Sequence, residues 1–329
     1  MKYVNSFDSI RGLSIILVVL THLDSYEYLP EVDFFRKNIW LYVSGNTGVT
    51  LFFILSGFLI TKKLQLEYQE NLKINFKRFF IKRFLRLTPP LVVFYIITVI
   101  AIQNHVTPYV KETIIYSILY LYNYIPREFY VGEYGHLWSL SVEEQFYVMW
   151  PFLIAYINHK LSFILITLII ICVLIITLSV YYVSTSKEYF TERFFIPAGL
   201  PIFLGSFFAL NSERISKINL KYIAVILFFI PLSFNDSFLK YGVIFLNIAF
   251  AIWINQLYNF DYKLRVKPLE YIGRISYGLY VYQGFFLKTG PSSDYYLQKY
   301  PLNIIISITL SIISYEIIER KILKYKSNI

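Results

Sequence analysis

The sequence predicts an all-α, polytopic integral membrane protein with about ten transmembrane helices. Three observations predict it. Across 329 residues, 57% are hydrophobic and 16% charged, with a mean hydropathy of +0.53, too apolar for an ordinary soluble domain of this length. Runs such as LSFILITLIIICVLIITLSVYYV, residues 161–183, reach the roughly 20 apolar residues needed to cross about 30 Å of hydrocarbon. The basic residues behind the net charge of +10 fall between such runs and not along one polar face. That is the positive-inside pattern of a membrane protein, and it argues against a nucleic-acid partner.

In chain order, the first span is expected at 9–25; its apolar core, 12–23, lies behind Lys2 and Arg11, and no small-residue cleavage site follows it. It therefore reads as a retained span and not as a signal peptide. Further spans are expected at 46–62, 88–104, 142–157, 161–183, 196–211, 220–235, 239–257, 272–288 and 301–318. The run 112–122 is short and rich in Tyr, so residues 105–141 are expected to form an outer segment that dips back or lies at the interface. The loop after the second span carries Lys62, Lys63, Lys73, Lys77, Arg78, Lys82, Arg83 and Arg86 against Glu67 and Glu70, which makes it cytoplasmic. With 112–122 outside the bilayer, the later basic stretches and both termini fall on that same side. The chain reads as one domain, 1–329, without a soluble appendage, and its lone Cys172 supports no disulfide framework.

Several polar residues break this apolar pattern. Arg11 and His22 are eleven positions apart, three helical turns plus about 20°, so they share one helix face about 16 Å apart. Charged groups within a span usually face a bundle interior or a watery cavity. The alternative is that Arg11 snorkels to headgroups and His22 caps the helix. In FIKRFLRLTPP, residues 80–90, Arg83 and Arg86 stand three apart on a helix expected to stop at the Pro pair. Two forked cations on one face can hold a phosphate, although loops on the positive side are basic whatever they bind. In GHLWSLSVEEQFYVMWP, residues 135–151, His136, Ser139, Ser141, Glu143 and Glu144 crowd a helix start. Ser141 and Glu144 have capping-box spacing, which leaves Glu143 unexplained. Ser56 and Gly57 sit in mid-span and suit close helix packing. No metal-ligand, nucleotide-loop or nucleophile-elbow motif occurs.

In order and separation, FDSIRGLSIILVVLTH, FFILSGFLI, KRFLRLTPP and HLWSLSVEEQFYVMWP resemble the integral-membrane acyltransferase 3 family. ERFFIPAGLPIFLGSFFAL, IGRISYGLYVYQGF and EIIERKI extend the resemblance over essentially the whole chain. It implies a bacterial inner-membrane, multi-pass enzyme that moves acetyl or another short acyl group from acyl-CoA to hydroxyls of envelope or exported glycans. Carried across residue by residue, it implies that Arg11 and His22 form the family's Arg/Lys-x10-His pair and that Arg83 and Arg86 form its RxxR pair. Glu143 matches the acid of WSLxxE, and Arg193 a basic residue ahead of a glycine-bearing span. Where the family often has His after SYxLYLx, this chain has Gln283.

Joined to the residues, the resemblance gives a concrete expectation. Acetyl-CoA or another acyl-CoA is the donor, held by Arg11, Arg83, Arg86 and Arg193, and no metal is needed. His22 is the general base, oriented by Glu143; an acyl-His22 relay is left open. His136, Trp138 and Ser139 are assigned to the acceptor, a polysaccharide or lipid-linked glycan. Membrane lipids and glycan-biosynthesis proteins are the expected partners, and nucleic acid is not. The competing reading is a glycan or lipid transporter or flippase, which would also explain buried cations among ten spans.

Overall fold

The computed structural model describes residues 4–25, 40–156, 171, 188–233, 236–260, 266–287 and 295–322. Among them the chain is helical, and the only β contact is an isolated bridge between Pro126 and Tyr189. The principal helices are α1 (Asn5–Ser25), α2 (Gly45–Asn71), α3 (Phe76–Gln103), α4 (Lys111–Ile118) and α5 (Leu137–Tyr156). They continue as α6 (Leu200–Leu210), α7 (Lys221–Phe229), α8 (Asp236–Phe260), α9 (Lys267–Phe286) and α10 (Leu302–Ile313). A π-helical turn, Ser314–Glu319, extends α10. Five helices, within Asn5–Leu23, Gly45–Asn71, Phe76–Gln103, Gly242–Phe260 and Leu302–Ile322, are long and apolar enough to cross a membrane. The expected span 161–183, with Cys172, and the loop residue His159 lie outside the described residues.

Local chemistry explains the helix ends. Ser44 caps α2 by accepting from the Thr47 amide at 3.3 Å, and Asn75 caps α3 through the Arg78 amide at 2.9 Å. Two expectations change here. The Pro pair does not stop the helix: α3 runs through Pro89 and Pro90. The missing N–H groups of Pro89 and Pro90 leave the Leu85 and Arg86 carbonyls without their helical donors, and next to them the Tyr277 hydroxyl donates to the Leu87 carbonyl at 2.9 Å. The capping box at Ser141 is also absent. Because α5 begins at Leu137, Ser141 lies inside the helix, where its hydroxyl donates to the Leu137 carbonyl at 2.9 Å and accepts from the Tyr122 amide at 3.1 Å. The span expected at 196–211 is interrupted by non-helical backbone at Ile196, so α6 starts only at Leu200.

Glycines set the closest helix contacts. On α1 and α9, Gly12 faces the Leu269 carbonyl and Gly273 faces the Asp8 carbonyl. On α2 and α6, Gly57 faces the Ile202 carbonyl and Gly205 faces Ile54. In each case a Cβ would overlap the opposing backbone, so only glycine allows this approach, which gives Gly57 the packing role that its position suggests. The Gln65 amide reaches the Leu210 carbonyl at 3.3 Å, so α6 ends beside the far part of α2. With α9 starting against the start of α1, Lys62 to Lys82, Arg214, Lys217 and Lys267 gather at one end of the bundle, the basic end. Over the opposite end fold residues 105–136, with three short 3-10 turns; α4, at about 12 Å, is too short to cross the hydrocarbon.

Two apolar clusters form the core. One centres on α2, α5, α6 and α8; the other joins α1, α3 and α9 to the folded-back segment through Tyr122, Ile125 and Tyr134. Val49 and Trp138 pack against both clusters, and the polar residues of interest collect along that seam.

Candidate functional site

Two cavities lie end to end on the seam. The first holds about 750 Å³ of empty space and is lined by Arg11, Ser56, Arg83, Arg86, Glu143 and Tyr147 among apolar side chains. The second holds about 930 Å³ and is lined by Thr21, His22, Ser44, Asn46, His136 and Arg193, with Trp138 and Tyr130. Val49 and Tyr280 line both cavities and so form the neck between them. The stripe on α1 behaves as its helical spacing requires: Arg11 faces the arginine chamber, toward the basic end, and His22 the imidazole chamber.

In the arginine chamber, Arg83 lies flat over Tyr147, its guanidinium carbon 3.5 Å from the ring centroid. Its Nε is buried without a hydrogen-bond partner; with Arg11 and Arg86 on the same lining the chamber is rich in cations, which suits an anionic ligand. Arg11 is tied by its own helix, with Nη1 2.6 Å from the Asp8 carboxylate. Glu143 stands one helical turn before Tyr147, with Ser56 and Tyr147 as its hydrogen-bonding neighbours and Arg83 and Arg86 as the cations near it. Asp8 and Ser56 were not singled out as site residues by the sequence. For Asp8, the i, i+3 spacing to Arg11 was the available signal.

In the imidazole chamber, the His22 Nδ1 is 2.8 Å from the Val18 carbonyl. A carbonyl only accepts, so Nδ1 carries the hydrogen and Nε2 carries the lone pair. His136 is 5% exposed, packs edge-on to Phe94 and Tyr280, and fits only because Gly284 has no side chain. Its ring nitrogens lack a well-formed hydrogen bond, the Glu133 backbone being the polar group near them. His136 stands ahead of the α5 span; burial, with His22 nearby, pushes its imidazole down to about 3 and keeps it neutral. At the neck, the Tyr280 hydroxyl bonds to the Ser139 hydroxyl and donates to the His136 carbonyl at 3.0 Å. Tyr280 falls on the second tyrosine of the SYxLYLx pattern, but the sequence alone assigned it no place in the site.

The structure regroups three expected site residues. Glu143 lines the arginine chamber and not the chamber of His22, because seven residues separate it from His136, about 10 Å along α5. Arg193 is not with Arg83 and Arg86: the turn Thr191–Arg193 packs near the folded-back segment, which carries it into the imidazole chamber. Ser139 lines the arginine chamber, whereas His136 and Trp138 line the other, since consecutive residues on a helix point about 100° apart. Gln283 is fully buried and donates to the Tyr280 carbonyl at 3.3 Å; it lines neither chamber.

Comparisons with known proteins identify the family of this chain. A family model described as an acyltransferase domain matches residues 4–315. Peptidoglycan O-acetyltransferase OatA of Listeria monocytogenes is 28% identical over 317 residues, covering 85% of this chain and 49% of that protein. O-acetyltransferase OatA of Staphylococcus aureus is 28% identical over 367 residues, covering 98% of this chain and 58% of that protein. The chain thus spans about half the length of the curated relatives it matches. No solved structure matches it. With the match running from Val4 nearly to the end of α10, the chain belongs to the acyltransferase domain family.

Proposed function

We propose that this chain is a membrane O-acyltransferase that moves an acetyl or other short acyl group from acyl-CoA to a hydroxyl of a cell-envelope or exported glycan. One observation carries the reading. A cavity with three arginines and a cavity with two imidazoles meet at a neck of two residues, and one helix contributes Arg11 to the first and His22 to the second. The donor supplies a thioester, an activated acyl group with phosphates on its handle. Arg83, Arg86 and Arg11, which line one chamber, would hold those phosphates. Glu143 and Tyr147 keep the guanidiniums in place.

On the other side of Tyr280, the Nε2 of His22 accepts the proton of the acceptor hydroxyl as that oxygen attacks the acyl carbon; the thioester C–S bond then breaks, and the coenzyme A thiolate leaves and takes up that proton as the thiol. A base so placed contributes about 100- to 10,000-fold. The basic end faces the cytoplasm, the source of acyl-CoA, which gives a multi-pass protein of the cell membrane with about ten spans and both termini inside. The word peptidoglycan in one relative's name supports an envelope glycan as acceptor.

The test is to incubate the purified protein in nanodiscs with radiolabelled acetyl-CoA and an envelope extract. Label is expected on glycan, and His22→Ala should reduce it at least 100-fold with an unchanged melting temperature. Absence of labelled glycan with the wild type overturns the reading in favour of a transporter.

A further inference from the structure

Arg193 bears on the identity of the acceptor, a question that presupposes the acyl-transfer reading above. Its guanidinium carbon lies 4.1 Å from the Phe190 ring centroid, 5.5 Å from Tyr130 and 5.9 Å from Trp138. Three aromatic rings therefore hold a side chain that is 24% exposed. Its ion-pair contact among the described residues is from Nε to Glu192 Oε1 at 3.9 Å, and that glutamate is 45% exposed. At that separation the pair is a weak, water-screened attraction and no hydrogen bond.

A guanidinium has five N–H donors in its plane, and contacts with ring faces use the cation's charge while leaving those donors available. The described residues that line this cavity include no carboxylate. Its other polar groups are the hydroxyls of Thr21, Ser44, Tyr130 and Tyr280, the Asn46 amide, the Trp138 indole and the rings of His22 and His136. The cavity is thus built of neutral hydrogen-bonding groups around one fixed cation, with His136 buried beside it and poorly satisfied. A neutral sugar would use the neutral groups and leave the guanidinium edge unmatched. A carboxylate matches that edge with two parallel, charge-assisted hydrogen bonds.

We propose that Arg193 is the subsite for a carboxylate on the acceptor, so that the acceptor is an acidic glycan whose acid docks on Arg193 while a hydroxyl reaches His22. The carboxylate can belong to a sugar ring or to an acid attached to it, and the two call for separate probes. One probe is an oligohexuronate. The other is a muramyl tetrasaccharide with free lactyl carboxylates. Each is paired with its own carboxyl-reduced form, which replaces the acid by an alcohol.

Binding is measured by calorimetry on the full chain in nanodiscs without donor, and acetyl transfer is followed in parallel. Wild type should bind at least one acid about tenfold to a hundredfold more tightly than its reduced form, and that preference should shrink with added salt. Arg193→Gln should make the two forms bind alike, and Arg193→Lys should restore part of the preference, because ammonium keeps the charge but not the fork. Equal wild-type binding of both acids and their reduced forms, or a preference that survives in Arg193→Gln, overturns the proposal. A preference without any acetyl transfer would count against the acyltransferase reading alone.

Discussion

The His136 ring is enclosed by Phe94, Tyr280 and the bare backbone of Gly284, beside His22, and these surroundings make it a neutral hydrogen-bonding group instead of a cation. The consequence is measurable. An unfolded chain takes up a proton at this residue below about pH 6.5, whereas the folded chain does so only near 3. Stability is therefore fully present above about 6.5 and falls as the pH drops toward 3, by up to about 1.4 kcal/mol per pH unit. His136→Gln should flatten the melting-temperature profile between pH 5 and 7 by one proton's worth; superimposable profiles would contradict the assignment. The sequence revealed that a histidine stands ahead of the WSL segment, but its neutrality depends on Gly284, 148 positions away. Tyr280 was given no place in the site and Ser56 only a packing role for the same reason: each is an ordinary residue type made important by what another helix brings against it.

At the level of the helices, two pairs of reciprocal glycines set how α1 meets α9 and how α2 meets α6. Gly273 rests on the carbonyl of Asp8, whose carboxylate holds Arg11, so this contact also places a cation of the site. Gly273→Val is expected to cost about 1–3 kcal/mol by forcing the helices apart, and to weaken donor binding with it. Leu13→Ala, at a position on α1 that is 45% exposed, is the control and should melt close to wild type. Thermal unfolding in detergent distinguishes the two; equal melting would show that the close approach is not needed. Helix existence was legible from hydrophobic run length, as α1, α2, α3 and α8 show. Helix ends were less so. The Pro pair was expected to stop α3, yet the helix runs through it, as membrane helices tolerate where neighbouring groups re-satisfy the freed backbone. In α5, Ser141 carries the pattern of a cap but bonds inside a helix that starts a turn earlier.

Across the bundle as a unit, the gathering of basic residues at one end yields a topology that can be checked. In a Cys172→Ala background, single cysteines at Lys73, Lys217 and Lys267 should resist a membrane-impermeant maleimide in intact cells and react in inverted vesicles. A cysteine at His105, on the folded-back end, should show the reverse. Any of the first three reacting from outside would reverse the orientation and with it the route proposed for the donor. Read as a string of residues, the chain already specifies its medium, its all-helical class and the Arg11–His22 stripe, because composition and the 3.6-residue period act within one segment, while its motifs carry the family resemblance. It took the packed bundle to place Glu143 with Arg83 and Arg86, to bring Arg193 to His22, and to set Tyr280 between the two chambers. Helical periodicity sets the direction of a side chain around its own axis, whereas depth and register between helices come from contacts such as Gly57 on Ile202 that join residues far apart in the chain.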